Sequence, residues 1–130
     1  MACLETTFLI DLMKKKPEIH SFKEELDKTE NVLSIAAPSV AELWAGASLS
    51  NFPEKERRKV MELLQSLQFL PLDLRSAKEA GEIEAELIKN GLSMGAEDIM
   101  IAAIAKVNGE KLVTRDQHFA RIPGLRVLKY

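Results

Sequence analysis

Four carboxylates stand where an apolar chain has little reason to carry them. Glu5 follows a short apolar run and precedes another in "ACLETTFLIDL". Glu42 lies in "PSVAELWAG", Asp98 in "GAEDIMIAAIA" and Asp116 in "LVTRDQHF". An acid in such a setting costs stability unless a partner or a cation offsets its charge. Each has a purely structural explanation. Glu5 suits the N-terminus of a following helix. Ser39 and Glu42 fit a capping box, Ser-x-x-Glu. Asp98 suits the first turn of a helix, where the dipole favours an anion. Thr114 suits a cap, with Asp116 beside it. Taken together they point elsewhere. Four acids in one cleft repel one another unless a hard cation binds, and Mg²⁺ or Mn²⁺ prefers oxygen ligands. The chemistry that uses such a cluster is phosphodiester hydrolysis.

The elements that must position these acids read as short apolar strands alternating with helices. Residues 2–6, 32–37, 69–72, "KLVT" and "RVLKY" are strand candidates. Thr7 opens an apolar helix that runs into Lys14, Lys15 and Lys16, and Pro17 starts the next one. Asn31 marks a turn, and Pro38 is expected to close the second strand. Helices follow over 39–50 and 53–67, then from the Asp73 cap to Gly91, and from "GAEDIM" to Asn108-Gly109. "RDQHFARI" is a short helix before a "PGL" turn. This alternation predicts an α/β fold with a mainly parallel central sheet of four to five strands and helices on both faces. Ligands in such sheets bind beyond the carboxyl ends of the strands. The first and fourth strands then bring Glu5 and Asp116 to one edge, with the helices of Glu42 and Asp98 beside it.

Composition narrows the function. The 130 residues suit a single domain, 1–130, able to bury a core. A net charge of −2 gives no global basic signature of a nucleic-acid binder, so any such contact must be local. The one cysteine, Cys3, excludes an internal disulfide and reads as core rather than as a nucleophile paired with His20 or His118. No run approaches the roughly 20 apolar residues of a membrane span. With no basic segment leading an apolar one at the start, a cytoplasmic location is the default expectation. "SMGAED" lacks the spacing and lysine of a phosphate loop. Arg115 and Arg121 flank the last acid and are the candidates for contacting a nucleic-acid backbone. Lys14 to Lys16 and Arg57 to Lys59 read as solvated helix faces. Trp44, Leu49 and Phe52 are either core or the wall of an apolar groove for a partner helix.

In order, "CLETTFLIDL", "PSVAELWAG", "GAEDIMIAAIA" and "LVTRDQHFARIPGLRVL" resemble the four motifs of the PIN-domain family across nearly the whole chain. Size and the last motif look most like its VapC-type toxins. The resemblance implies a Mg²⁺- or Mn²⁺-dependent endoribonuclease, with Glu5, Glu42, Asp98 and Asp116 as metal-holding acids. Thr6 and Thr114 would orient a water or a carboxylate. It further implies a homodimer, restrained by a small antitoxin, acting on RNA. Glu5 departs from the family's usual aspartate. One extra methylene moves its carboxylate by about 1.5 Å, and ~1 Å of misplacement costs on the order of a hundredfold in rate. Two other readings follow: a catalytically weak or silent PIN-like module that binds RNA or a partner, and a phosphatase or small-molecule enzyme using the same acids.

Overall fold

The computed structural model describes all 130 residues. The chain runs β1 (Ala2–Leu4), α1 (Thr6–Met13), α2 (Pro17–Thr29), β2 (Leu33–Ala36), α3 (Ala37–Ser48) and α4 (Pro53–Gln65). It continues through β3 (Gln68–Leu70), α5 (Leu74–Lys89), α6 (Ala96–Val107) and β4 (Lys111–Thr114), then a 3₁₀ turn (Gln117–Arg121) and β5 (Val127–Lys129). The five strands form one sheet in the order β3-β2-β1-β4-β5, and every neighbouring pair is parallel. The expected α/β architecture is therefore observed. All carboxyl ends lie along one edge.

The period-2 alternation of strands divides the apolar residues between two cores. Ala2, Leu4, Ile35 and Val113 face one side and pack on Phe8 and Leu9 of α1, Ile19 and Leu26 of α2, Leu43 of α3 and Val60 of α4. Cys3, Ala36 and Leu112 face the other side, against Ile83 and Leu87 of α5 and the Ile101–Ile104 stretch of α6. Cys3 is fully buried, and burial pushes its thiol up to about 12. It is packing, as its position in β1 suggested. Phe8 meets Tyr130 and Phe22 edge-on at 4.9 and 5.8 Å, which ties α1, α2 and the exit from β5 together.

Two local expectations are corrected. Pro38 does not close β2; it sits in the first turn of α3, where a missing N–H costs nothing. Helix α3 therefore begins with Ala36 as N-cap and no side-chain cap, so Ser39 and Glu42 do not form a capping box. Asp73 does cap α5: its carboxylate accepts from Ser76 N, and its own N–H donates to Ser76 Oγ, both at 2.9 Å. Strand β1 is shorter than the expected 2–6, because Glu5 and Thr6 already belong to the start of α1.

Candidate active site

Glu5 leaves β1 with its N–H still donating to Val113 O of β4, then turns the chain into α1 as its N-cap. The side chain is 3 % exposed. Its Oε2 accepts from Thr7 N at 3.0 Å, and its Oε1 accepts from the hydroxyls of Thr7 and Thr114, each at 2.6 Å. Three donors satisfy most of an ionised carboxylate's capacity and leave one lone pair of Oε2 available. Thr114, fully buried at the end of β4, also accepts from Asp116 N at 3.0 Å and so fixes the next acid.

Thr6 does the same for the second acid. Its hydroxyl bonds Ser39 Oγ at 2.9 Å and donates to Glu42 Oε1 at 3.1 Å. Ser39 is thus freed from the capping role read from the sequence and braces Thr6 instead. Both threonines following or facing Glu5 donate to carboxylates.

Asp98 stands in the first turn of α6, half-buried. Burial, and then the charges of Glu5, Asp116 and Glu97, push its pKa up. Glu42 is pushed to about 7 by burial, by the neighbouring Glu97 carboxyl and by the charge of Asp98, against the Thr6 hydrogen bond. Asp98 therefore feels Glu5 and Asp116, and Glu42 feels Asp98, at the carboxyl ends of β1 and β4. Glu97 is a fifth member that the sequence did not single out. Asp116 behaves differently. It accepts from His118 N at 2.9 Å and faces His118 Nδ1 at 2.7 Å. Those contacts and the Arg121 charge hold its pKa below the ordinary value. Asp116, rather than Thr114, caps the 3₁₀ turn.

As the side chains lie, no three acidic, imidazole or thiol groups stand close enough to ligate one ion directly. Glu5 shows why: its carboxylate is turned toward Thr7 and Thr114. The donor set nonetheless fits a hard divalent cation. It is all oxygen, and the raised Glu42 and Asp98 mark negative charge with no compensating cation.

Three hollows are lined by acids of this cluster. A polar basin of about 620 Å³ is lined by Thr7, Arg115, Asp116, Gln117, His118 and Arg121, with no apolar side chain. A smaller recess places Asp98 opposite His118. An apolar groove of about 440 Å³ runs from Glu42 past Ile10, Met13, Leu43 and Val60 to Phe52. Phe52 is exposed on that groove, whereas Trp44 and Leu49 are exposed but do not line it. Sequence reading also passed over Asp11, which is buried at 2 % exposure and pairs with Lys16 and Arg115.

The fold is that of an α/β protein with carboxylates gathered at parallel strand ends. The PIN-domain family profile matches residues 2–125, and the chain belongs to that family. It is 34% identical over 125 residues to the tRNA(fMet)-specific endonuclease VapC of Salmonella typhimurium, covering 95% of this chain and 93% of that protein. Ribonuclease VapC2 of Haemophilus influenzae is equally identical, with coverage of 95% and 92%. The fold superposes on the DNA-bound VapBC structure from Salmonella typhimurium with a TM-score of 0.91 at 32% identity, covering 99% of this chain and 98% of that one. The VapBC2 structure from Rickettsia felis, bound to a promoter DNA fragment, gives 0.92 at 28% identity, with the same coverage.

Proposed function

We propose that this protein is a divalent-metal-dependent endoribonuclease, the toxin of a toxin–antitoxin pair. The observation that carries the reading is the gathering of carboxylates at the carboxyl edge of a PIN fold: Asp98 is raised by burial and by the charges of Glu5 and Asp116, and Glu42 in part by the charge of Asp98. The ribonuclease names of relatives at 34% identity support RNA as the substrate.

Glu42, Asp98 and Asp116 would hold Mg²⁺ or Mn²⁺, with Glu5 contributing its remaining lone pair. When bound, such an ion supplies charge stabilisation at a phosphoryl oxygen. The chain's own residues do the rest. Thr6 and Ser39 fix Glu42, and Thr7 and Thr114 fix Glu5. Arg115 and Arg121 line the polar basin beside Asp116 and suit backbone phosphates, contacts that position a strand without reading its sequence. The apolar groove between Glu42 and Phe52 suits a segment of an antitoxin, in keeping with the VapBC complexes this fold resembles. No helix is long and apolar enough to cross a membrane. The reading places a homodimer in the cytoplasm, restrained by its antitoxin.

The test is cleavage of RNA by partner-free protein with Mg²⁺, with Mn²⁺ and with chelator. The named specificity of the Salmonella relative makes initiator transfer RNA the first substrate to try. Cut products that require the metal, and that fall by about a hundredfold or more in Asp98→Asn, support the reading. Undiminished cleavage by Asp98→Asn removes the site assignment. The second reading, a silent RNA- or partner-binding module, is favoured by one observation: the Glu5 carboxylate is already committed to three donors. RNA binding without cleavage under any metal selects it.

A further inference from the structure

Asp11 carries a buried charge that the acid cluster does not use. It lies on α1, two turns past Glu5, and is 2 % exposed. Lys16 Nζ donates to its Oδ1 at 2.9 Å, Arg115 Nη1 pairs with its Oδ2 at 3.0 Å, and Tyr130 OH donates to the same oxygen at 3.3 Å. These partners hold its pKa below the ordinary value, Lys16 foremost. One carboxylate thus faces two cations, and the trio keeps a net positive charge.

Lys16 alone would neutralise Asp11, so Arg115 is not needed for charge balance. Its position is the informative feature. Arg115 lies between Thr114, which holds Glu5, and Asp116. It lines the polar basin with Arg121, and its side chain is 54 % exposed. Its Nη1 is held to Asp11 by an ion pair, and the residue lines the basin. A guanidinium carries five N–H donors in a planar fork, the geometry that matches phosphate.

We infer that Asp11 is a positioning residue that holds the Arg115 guanidinium ready to grip a backbone phosphate of RNA beside the acid cluster. This rests on the RNA reading above. A free arginine must be immobilised when it binds, and the anchor removes that cost in advance. Tyr130 completes the anchor: its hydroxyl also lies 3.4 Å from Thr7 Oγ1, the group that donates to Glu5. The phosphate grip and the first acid therefore share one network of ion pairs and hydrogen bonds.

The experiment measures affinity for a fluorescent single-stranded RNA oligonucleotide by anisotropy, in chelator so that the strand stays intact. It compares the wild type, Asp11→Asn, Arg115→Ala and the double variant, with thermal melting to confirm folding. Loss of Arg115 is expected to weaken binding about tenfold and to lower the salt dependence by roughly 0.7 of a log unit per log unit. Asp11→Asn is expected to weaken it about two- to tenfold. That sign is diagnostic, because removing a negative charge tightens binding of a polyanion by simple electrostatics. The double variant should match Arg115→Ala alone. Equal or tighter binding by Asp11→Asn, or additive losses, overturns the inference and leaves the RNA reading standing. No RNA binding by the wild type overturns both. If Asp11→Asn does not fold, Arg115→Lys decides. Lysine keeps the charge but replaces the planar fork by a point charge, so it should bind more weakly than the wild type, and full binding by it overturns the inference.

Discussion

Thr114 Oγ1 lies 2.6 Å from Glu5 Oε1, a contact between the ends of β4 and β1 that spans 109 residues of sequence. Both groups are buried, so the bond is charge-assisted and shielded from water. Replacing Thr114 by the isosteric valine leaves a buried carboxylate short of a donor and Asp116 N short of an acceptor. Thr114→Val is expected to cost about 1–3 kcal/mol in urea unfolding, with Thr114→Ser close to the wild type. Equal midpoints for the wild type and Thr114→Val would show that the contact contributes nothing.

Glu5 is tested by removing its charge while keeping its shape. Glu5→Gln is expected to lower Mn²⁺ affinity by about tenfold or more in calorimetric titration, while retaining the α1 cap through its carbonyl oxygen. An unchanged affinity would show that the first acid acts only as a helix cap.

Metal-free stability should depend on pH with an unusual sign. Glu42 is raised from the ordinary 4.5 to about 7, and Asp98 is raised too. The folded protein binds these protons more tightly than the unfolded chain. Their contribution is greatest below the ordinary carboxylate range and declines as pH climbs to about 7. Asp11 and Glu30 are lowered by their cations and act oppositely, losing stability only in acid. In chelator, the melting temperature should be higher near about pH 5 than near about pH 7.5. Mg²⁺ should raise it most at the higher pH. Glu42→Gln should flatten the difference, and an unaltered profile in that variant would refute the assignment.

Lys15 holds φ at +57° in the turn between α1 and α2, on the surface. The left-handed conformation costs a side-chain-bearing residue about 1–2 kcal/mol, part of which glycine recovers. Lys15→Gly is expected to stabilise the protein by about 0.5–1 kcal/mol, read as a higher urea midpoint. A lower midpoint would show that the Lys15 side chain contributes more than its backbone costs.

How much of this was legible beforehand follows the range of the interactions. Strand and helix identities came from local apolar patterning, and Asp73 was readable as a cap because its partner Ser76 is three residues away. Ser39 was misread for the same reason. Ser-x-x-Glu is a local rule, and the Ala36 start of α3 moved Ser39 inside the helix, where Thr6 takes its hydroxyl. The four candidate acids stood out because each sits beside a strand end or in a helix's first turns. Asp11 was not, since its meaning lies in Arg115 and Tyr130, more than a hundred residues on. No spacing rule connects them. The state of Glu5 was likewise hidden, because the donors that occupy it come from both Thr7 and Thr114.

The strand order has a consequence for synthesis. β1 is the middle strand of the sheet, yet one of its two neighbours, β4, begins only at Lys111. A nascent chain that has exposed Glu5, Glu42 and Asp98 still lacks the partner that anchors Glu5 and the loop that carries Asp116. Such long-range pairing forms late in folding. Three of the four acids can therefore leave the ribosome without making a working cleft, and a chain cut before β4 carries most of the chemistry but none of its geometry. On the ribonuclease reading proposed above, the nascent chain stays inactive until β4 and the loop that carries Asp116 have been made.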